Sequence, residues 1–187
     1  MKTLKEFNDY CDGKTIAVVG NAVVEKLYGA SIDACDIVLR FNEAYPSKAQ
    51  EPYIGSKSNV WSIMCQDLKA QKAFYETGIY DKIDYLVAAW WRYQVIPEFV
   101  PKVVHLPLEN FCASVDQLGA SPSCGYLVLR YLMDASKYKK LVVAGFDFFE
   151  SGDRHLGRRD VGRHNPEAEK LSLTNLLTYR RDIEWLR

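Results

Sequence analysis

The sequence predicts an α/β fold: a single domain over residues 1–187, with a mostly parallel, twisted sheet covered by helices on both faces. Two observations indicate this fold. Short, continuous apolar runs alternate with helical segments, and several of these runs end in small polar residues. A length of 187 residues also suits one compact domain, and no repeat or change in composition divides the chain.

The elements follow from the pattern of apolar residues along the chain. Short apolar runs predict strands over 15–19, 36–41, 59–64, 85–90, 102–106 and 141–144, the last strand that the pattern indicates. Helices are predicted over 3–11, 70–78, 126–135 and 167–179. Ser123 is the expected N-cap of the third helix, and Asn165 with Pro166 begins the fourth. Residues 150–166 are expected to form an irregular, mobile loop.

Charge and hydropathy exclude several classes of protein. The 24 Lys and Arg residues balance 24 Asp and Glu residues, and this neutrality argues against a general nucleic-acid binder. Four arginines near the C-terminus form either a local basic pocket or a solvated loop; they are Arg154, Arg158, Arg159 and Arg163. The polar N-terminus and the lack of an apolar run of ~20 residues predict a cytoplasmic protein without a transmembrane segment. The five cysteines form no CxxC pair, which favours reduced thiols.

Polar residues follow two of the predicted strands. Gly20 permits a sharp turn after the first strand, and the Asn21 amide beside it can donate to a phosphate or ribose oxygen. Residues 22–25 do not continue a GxGxxG fingerprint, so a nicotinamide enzyme lacks its main sequence support. Asn42 follows the next strand, and the carboxyl ends of neighbouring parallel strands converge on one crevice. Ordinary turn chemistry explains both asparagines equally well.

A third group of small residues precedes the predicted helix over 126–135. The Ser123 hydroxyl and the free N–H groups at Cys124 and Gly125 suit an anion at a helix N-terminus. Helix capping without a ligand explains the same residues.

Two of the three histidines follow the last predicted strand. An imidazole at His155 or His164 can act as a general base near neutral pH, whereas His105 is predicted to be a satisfied structural histidine. The chain has no HExxH, no His/Cys cluster and no DxD, so no metal site is predicted. Three aspartates are expected to make capping or structural hydrogen bonds: Asp33, Asp36 and Asp147.

Taken together, these blocks resemble the sialyltransferases of glycosyltransferase family 29. Residues 16–42 with 54–58 are similar to the family's long motif, and residues 121–149 are similar to its short motif. Residues 164–169 match the His-x4-Glu of its last motif. The resemblance implies a short, bacterial or viral-type member with the Rossmann-like, GT-A-like sheet of sialyltransferases.

The resemblance also implies a reaction: direct, inverting and metal-independent transfer of a sialic acid or related 2-keto sugar acid from a CMP-sugar. The acceptor would be a hydroxyl of a glycan or lipid-linked saccharide, as in polysaccharide biosynthesis, with peripheral membrane association left open. The CMP-sugar is the donor substrate, and no further cofactor is implied. His164 would be the general base, and His155 would lie near the donor phosphate. Glu169 would be a supporting residue. The nucleotide site would be lined by Gly20, Asn21, Asn42, Ser123, Cys124 and Gly125.

Two alternatives stay open. A catalytically degenerate nucleotide- or glycan-binding module is suggested by Cys124 in place of the usual threonine, by an altered third motif after His155, and by the short chain. A Rossmann-like enzyme of another kind, such as a methyltransferase or dehydrogenase, lacks its glycine fingerprint here. Three aromatic residues form either an acceptor platform or core; they are Trp90, Trp91 and Tyr93.

Overall fold

A computed structural model describes residues 1–42, 45–63, 68–89, 95–150 and 164–187. Its centre is a sheet of seven strands, and each neighbouring pair in it is parallel. The strands are β1 Thr15–Val19, β2 Ile37–Phe41, β3 Val60–Ile63, β4 Tyr85–Ala88, β5 Val103–His105, β6 Lys140–Ala144 and β7 Ile183–Leu186. The predicted α/β class with a parallel sheet is confirmed.

Eight α-helices and one short 3-10 helix connect the described strands. They are α1 Leu4–Cys11, α2 Gly29–Asp33, α3 Glu51–Ile54, α4 Leu68–Glu76, α5 Ile79–Lys82, the 3-10 helix Pro97–Phe99, α6 Leu108–Leu118, α7 Cys124–Ala135 and α8 Pro166–Tyr179. Both predicted caps are confirmed: Ser123 Oγ accepts a hydrogen bond from the backbone N–H of Tyr126, and Asn165 accepts one from the N–H of Ala168.

The order of strands places the chain's change of direction beside β1. The order is β5-β4-β3-β2-β1-β6-β7, so the chain first winds outward from β1 to β5 and then returns to add β6 and β7 on the other side. Val19 pairs with Ala144, which brings the carboxyl ends of β1 and β6 level. In an open parallel sheet, ligands bind in the crevice outside such a switch point.

The sheet is buried on both faces, because alternate residues of each strand point in opposite directions. One face packs under α1, α6, α7 and α8. The other packs under α2 and α3 near β1 and β6, and under α4 and α5 near β3 and β4. Arg40 lies on this second face and is fully buried between those two apolar clusters.

The structure adds elements that the sequence pattern did not indicate. β7 follows the strand expected to be the last, and α6 fills a stretch to which no helix was assigned. Helices α2, α3 and α5 are each one turn or slightly longer, too short for a periodic pattern to appear. The predicted loop at 150–166 lies mostly outside the described residues, as do Trp90, Trp91 and Tyr93.

Candidate functional site

The turn after β1 touches the turn after β6. Gly20 N donates to Ala144 O at 2.8 Å, and Ala22 N donates to Gly145 O at 3.0 Å. A Cβ atom at position 20 would lie 2.2 Å from Gly145 O. Only glycine therefore fits there, because the two backbones are in contact. Asn21, half-buried, stands directly after this glycine at the carboxyl edge of the sheet.

Asn42 lies level with Asn21 at the same edge. Val19 of β1 pairs with Arg40 of β2, so each asparagine stands two residues beyond a paired position. Asn42 has a left-handed backbone, with φ of 49°, a conformation that asparagine tolerates better than most residues. Its backbone is fixed by β3, since its N–H donates to Ser62 O at 2.8 Å and its carbonyl accepts from Trp61 Nε1 at 2.7 Å.

A buried carboxylate holds the N-terminus of α7. Glu169 is 2% exposed, and its two oxygens accept from Ser123 N at 2.6 Å and from Ser123 Oγ at 2.7 Å. Burial raises the pKa of Glu169, and the hydrogen bonds from Ser123 together with the charge of His164 oppose that rise. The carboxylate therefore joins the first turn of α8 to the cap of α7.

Cys124 and Gly125 follow the cap and face inward. The Cys124 thiol is buried, its Sγ lies 3.1 Å from Ser62 Oγ, and burial raises the pKa of this thiol to about 12. A Cβ atom at Gly125 would lie 2.8 Å from the Phe146 ring. A ligand at this turn could therefore contact the backbone of these two residues rather than a side chain.

His164 lies just before α8, close to Ser121. Its Nδ1 is 2.8 Å from the Ser121 carbonyl oxygen, and its ring stacks on Phe149 at 5.9 Å between centroids and 15° between planes. Because a carbonyl oxygen only accepts, Nδ1 must carry the proton. With the hydrogen at Nδ1, the lone pair of the unprotonated ring is at Nε2, the form required of a general base.

The polar residues of the first motif make a different kind of contact. Arg40 is fully buried. Its Nε donates to Lys57 O and Ser58 Oγ, both at 3.0 Å, and its Nη2 donates to Ile54 O at 2.9 Å and Gly55 O at 3.1 Å. The guanidinium thus holds the turn over residues 54–58 from beneath.

Asp33 holds the same turn from its other side. It accepts from Ser56 N at 2.9 Å, from Ser56 Oγ at 3.1 Å and from Lys57 N at 2.9 Å. Asp36 accepts from Thr15 N at 2.8 Å. Asp147 accepts from Phe149 N at 3.1 Å. The structural role predicted for these three aspartates is confirmed.

His105 departs from its prediction as a satisfied structural histidine. Its Nδ1 is buried, and no residue in the described part of the chain gives it a hydrogen bond. Burial lowers the pKa of His105, so the ring favours its neutral form at the end of β5.

A cleft of about 630 Å³ opens at the carboxyl ends of β1, β6 and β7. Its lining includes Ala22, Phe146 and Phe148 together with Lys170 of α8. Among the described residues, Asn42, Ser123 and His164 lie outside this lining. The sequence-predicted residues thus border the switch point without forming this cleft.

Several predictions fall on residues that the structure does not describe: His155 and the four arginines at 154, 158, 159 and 163. Within the described ranges, no group of three or more His, Cys, Asp and Glu side chains is gathered as a metal site would require. In those same ranges no helix is long and apolar enough to cross a bilayer.

Two contacts in the site were not anticipated from the sequence. Ser62 on β3 meets the Cys124 thiol, and Phe146 meets both Gly20 and Gly125. For the contact of Phe146 with the two glycines, the sequence shows only that two motif glycines and an aromatic residue after Gly145 are present. No spacing rule connects positions so far apart in sequence.

Comparison with known proteins gives the same architecture. No protein-family model matches the chain, and a search of curated proteins found no significant match. Among solved structures, the sialyltransferase CstII from Campylobacter jejuni, in complex with the substrate analogue CMP-3FNeuAc, is similar with a TM-score of 0.62 at 14% identity. The match covers 92% of this chain and 80% of that chain.

Two further sialyltransferases are similar over almost the whole chain. An apo alpha-2,3-sialyltransferase from Campylobacter jejuni has a TM-score of 0.62 at 16% identity, covering 93% of this chain and 75% of its own. A mammalian sialyltransferase in complex with Gal-beta-1-3GalNAc-ortho-nitrophenol has a TM-score of 0.58 at 20% identity, covering 92% and 69%. The chain has the Rossmann-like fold of sialyltransferases.

Proposed function

We propose that this chain is a CMP-sugar-dependent glycosyltransferase that moves a sialic acid or related 2-keto sugar acid to a glycan hydroxyl. The observation that carries the proposal is the joint between α7 and α8: Glu169 holds the capped turn at Ser123, and His164 stands at the start of the same helix. This arrangement supports a role for His164 as the base and for the N-terminus of α7 as the phosphate-binding element.

The donor would lie along the carboxyl ends of β1 and β2 and the N-terminus of α7. Asn21 and Asn42 stand level at that edge and would contact the phosphate and ribose of the nucleotide. The backbone N–H groups of Cys124 and Gly125, in the first turn of α7, would donate to the phosphate. Because the leaving phosphate gains negative charge as the glycosidic bond breaks, these dipoles stabilise the transition state more than the ground state.

The acceptor would meet His164. Nε2 takes the proton of the acceptor hydroxyl while the oxygen attacks the anomeric carbon, and the bond from that carbon to the CMP phosphate breaks with its electron pair leaving on CMP. Attack from the side opposite the phosphate inverts the anomeric centre. Positioning such a base supplies ~10²–10⁴-fold in rate. In this proposal no metal takes part, His155 lies near the departing phosphate, and the protein works in the cytoplasm.

The alternative of a binding module without turnover rests partly on Cys124. Its thiol packs against Ser62 in the core, so the change from threonine alters packing rather than the surface that a nucleotide meets. No feature of the described residues favours the module over the enzyme.

Ligand binding tests the donor class. CMP and CMP-sialic acid are expected to raise the melting temperature and to give calorimetric binding isotherms, whereas UMP, GDP and NAD are not, because a ligand that binds only the native state stabilises it by mass action. EDTA should leave the cytidine effect unchanged. Asn21→Ala is expected to weaken CMP binding, and Lys5→Ala, which changes an exposed side chain of α1, serves as the control variant. A shift with UMP or NAD and none with CMP would refute the proposal.

A further inference from the structure

The Phe146 ring lies between two of the turns assigned to the nucleotide. One ring edge faces Gly20, where a Cβ atom would lie 2.9 Å from both Cδ2 and Cε2. The opposite edge faces Gly125, where a Cβ atom would lie 2.8 Å from Cε1 and 3.2 Å from Cζ. The distances of 2.8 and 2.9 Å are shorter than ordinary Cβ contacts, so a side chain at either glycine would require the ring or the turn to move.

Phe146 also touches the third turn. Its ring meets Phe41 edge-on, at 6.0 Å between centroids and 85° between planes, and Phe41 directly precedes Asn42. A single half-buried ring is therefore in contact with the segments that carry Asn21, Asn42 and the α7 N-terminus. Interiors are close-packed, so a change in this ring is transmitted to all three segments.

We propose that Phe146 is a positioning residue that sets the distances between the three nucleotide-binding turns. It acts through Gly20, Phe41 and Gly125 and need not itself touch the substrate. This inference rests on the proposed function, because it assumes that these turns bind CMP. Gly125 is then required in its motif chiefly because the ring fills the space beside it, whereas at Gly20 the ring adds to the closer contact of the Gly145 carbonyl oxygen.

A matched pair of variants tests the inference. Phe146→Leu removes the ring from between the two glycines. Phe148→Leu makes the same change two residues later in the same loop, where the ring is 7% exposed and meets Trp185 at 5.9 Å. We expect both variants to lower the melting temperature, and only Phe146→Leu to weaken CMP binding, by about 10-fold. Phe146→Met against Phe148→Met repeats the comparison if leucine at 146 is not tolerated.

A double-mutant cycle adds a readout that a purely structural role would not move. Gly125→Ala alone pushes a methyl group into the ring and should weaken CMP binding. In the Gly125→Ala/Phe146→Leu double variant the methyl group has room, so we expect CMP affinity to recover to within about twofold of that of Phe146→Leu. Additive losses in the cycle would overturn the inference.

The outcomes separate this inference from the proposed function. If the unaltered protein binds CMP and the two leucine variants weaken it equally, Phe146 has no positioning role and the proposed function stands. If the unaltered protein does not bind CMP, the proposed function fails and the positioning role fails with it.

Discussion

The first and the last sequence motifs each carry a polar network, and the two networks differ in which segments their hydrogen bonds reach. Arg40 and Asp33, in the first motif, direct their bonds to the backbone of a single turn over residues 54–58. Glu169 and His164, in the last motif, direct theirs to the segment that precedes α7. The first network closes on itself within the fold, and the second ends at the edge where ligands bind.

The difference shows that a residue type in a motif does not by itself indicate a ligand contact. The buried guanidinium of Arg40 donates to three backbone carbonyl oxygens and one hydroxyl, so it is directed into the fold rather than toward a phosphate. Among the described residues, the hydrogen bond of the His164 imidazole is made by Nδ1, and in the proposed function Nε2 meets the reacting hydroxyl. The first network therefore has a structural role, and the proposed function gives the second a role in the chemistry.

Removing Arg40 should produce the largest loss of stability. Arg40→Ala leaves the carbonyls of Ile54, Gly55 and Lys57 without their buried donor, which is expected to lower the free energy of unfolding by about 3 kcal/mol or more. Urea denaturation measures it. The control is Arg130→Ala, which breaks a surface pair at 3.0 Å from Asp134 and should change stability by less than about 1 kcal/mol. Equal losses of unfolding free energy in the two variants would contradict the structural role assigned to the Arg40 network.

Two of the side-chain helix caps, Ser123 and Thr3, should differ in strength. Ser123→Ala removes both the cap of α7 and a donor to buried Glu169, and we expect a loss of about 2 kcal/mol. Thr3→Ala removes the exposed capping box of α1 and should cost about 1 kcal/mol. Thermal and chemical denaturation of both variants provide the comparison, which fails if Thr3→Ala is the more damaging.

The buried carboxylate should make stability depend on pH. The pKa of Glu169 is raised in the folded state above its ordinary value of 4.5, so folding favours the protonated form. The stabilisation relative to Glu169→Gln is therefore full below 4.5 and is lost as pH rises through the folded pKa. The unfolding free energies of both proteins should be measured from about pH 4 to pH 7. The stability of the wild type relative to Glu169→Gln should decrease as pH increases. A gain with rising pH would contradict the assignment.

Thiol labelling should give the smallest effect, and it reports on the exposure of individual cysteine side chains. Cys112 is exposed and Cys124 is buried, with the pKa of the Cys124 thiol raised to about 12. Iodoacetamide at mildly alkaline pH should modify Cys112 rapidly and Cys124 only after unfolding, because the thiolate is the reactive form. Peptide mass spectrometry reads each site separately. Rapid native labelling of Cys124 would place this turn at the surface.

Much of the fold could be read from local patterns. The continuous apolar runs predict β1 to β6, since strands buried on both faces show no alternation. The caps at Ser123 and Asn165 could be read because capping chemistry is local. β7 was missed because it is a four-residue edge strand whose Glu184 faces solvent. α6 was missed although Gly119, with φ of 62°, marks its end.

The site was predictable only in part. Motif order and spacing indicated His164, Glu169 and Ser123 together. In the structure, Glu169 accepts a hydrogen bond from Ser123, and His164 contacts the carbonyl oxygen of Ser121. The burial of Arg40 and the contact of Phe146 with two glycines depend on how distant segments pack. Periodicity carries no information on such contacts, because they are set by strand order and by register.

Activity of His164→Asn tests the central claim most directly. Asparagine keeps a donor near the position of Nδ1 for the Ser121 carbonyl and removes Nε2, so CMP affinity and melting temperature should stay close to wild type. Turnover of CMP-sialic acid, followed as CMP release with a saccharide acceptor, should fall by ~10²–10⁴-fold. His105→Asn, at the end of β5, is the matched control and should keep its turnover. Wild-type turnover in His164→Asn would contradict the account.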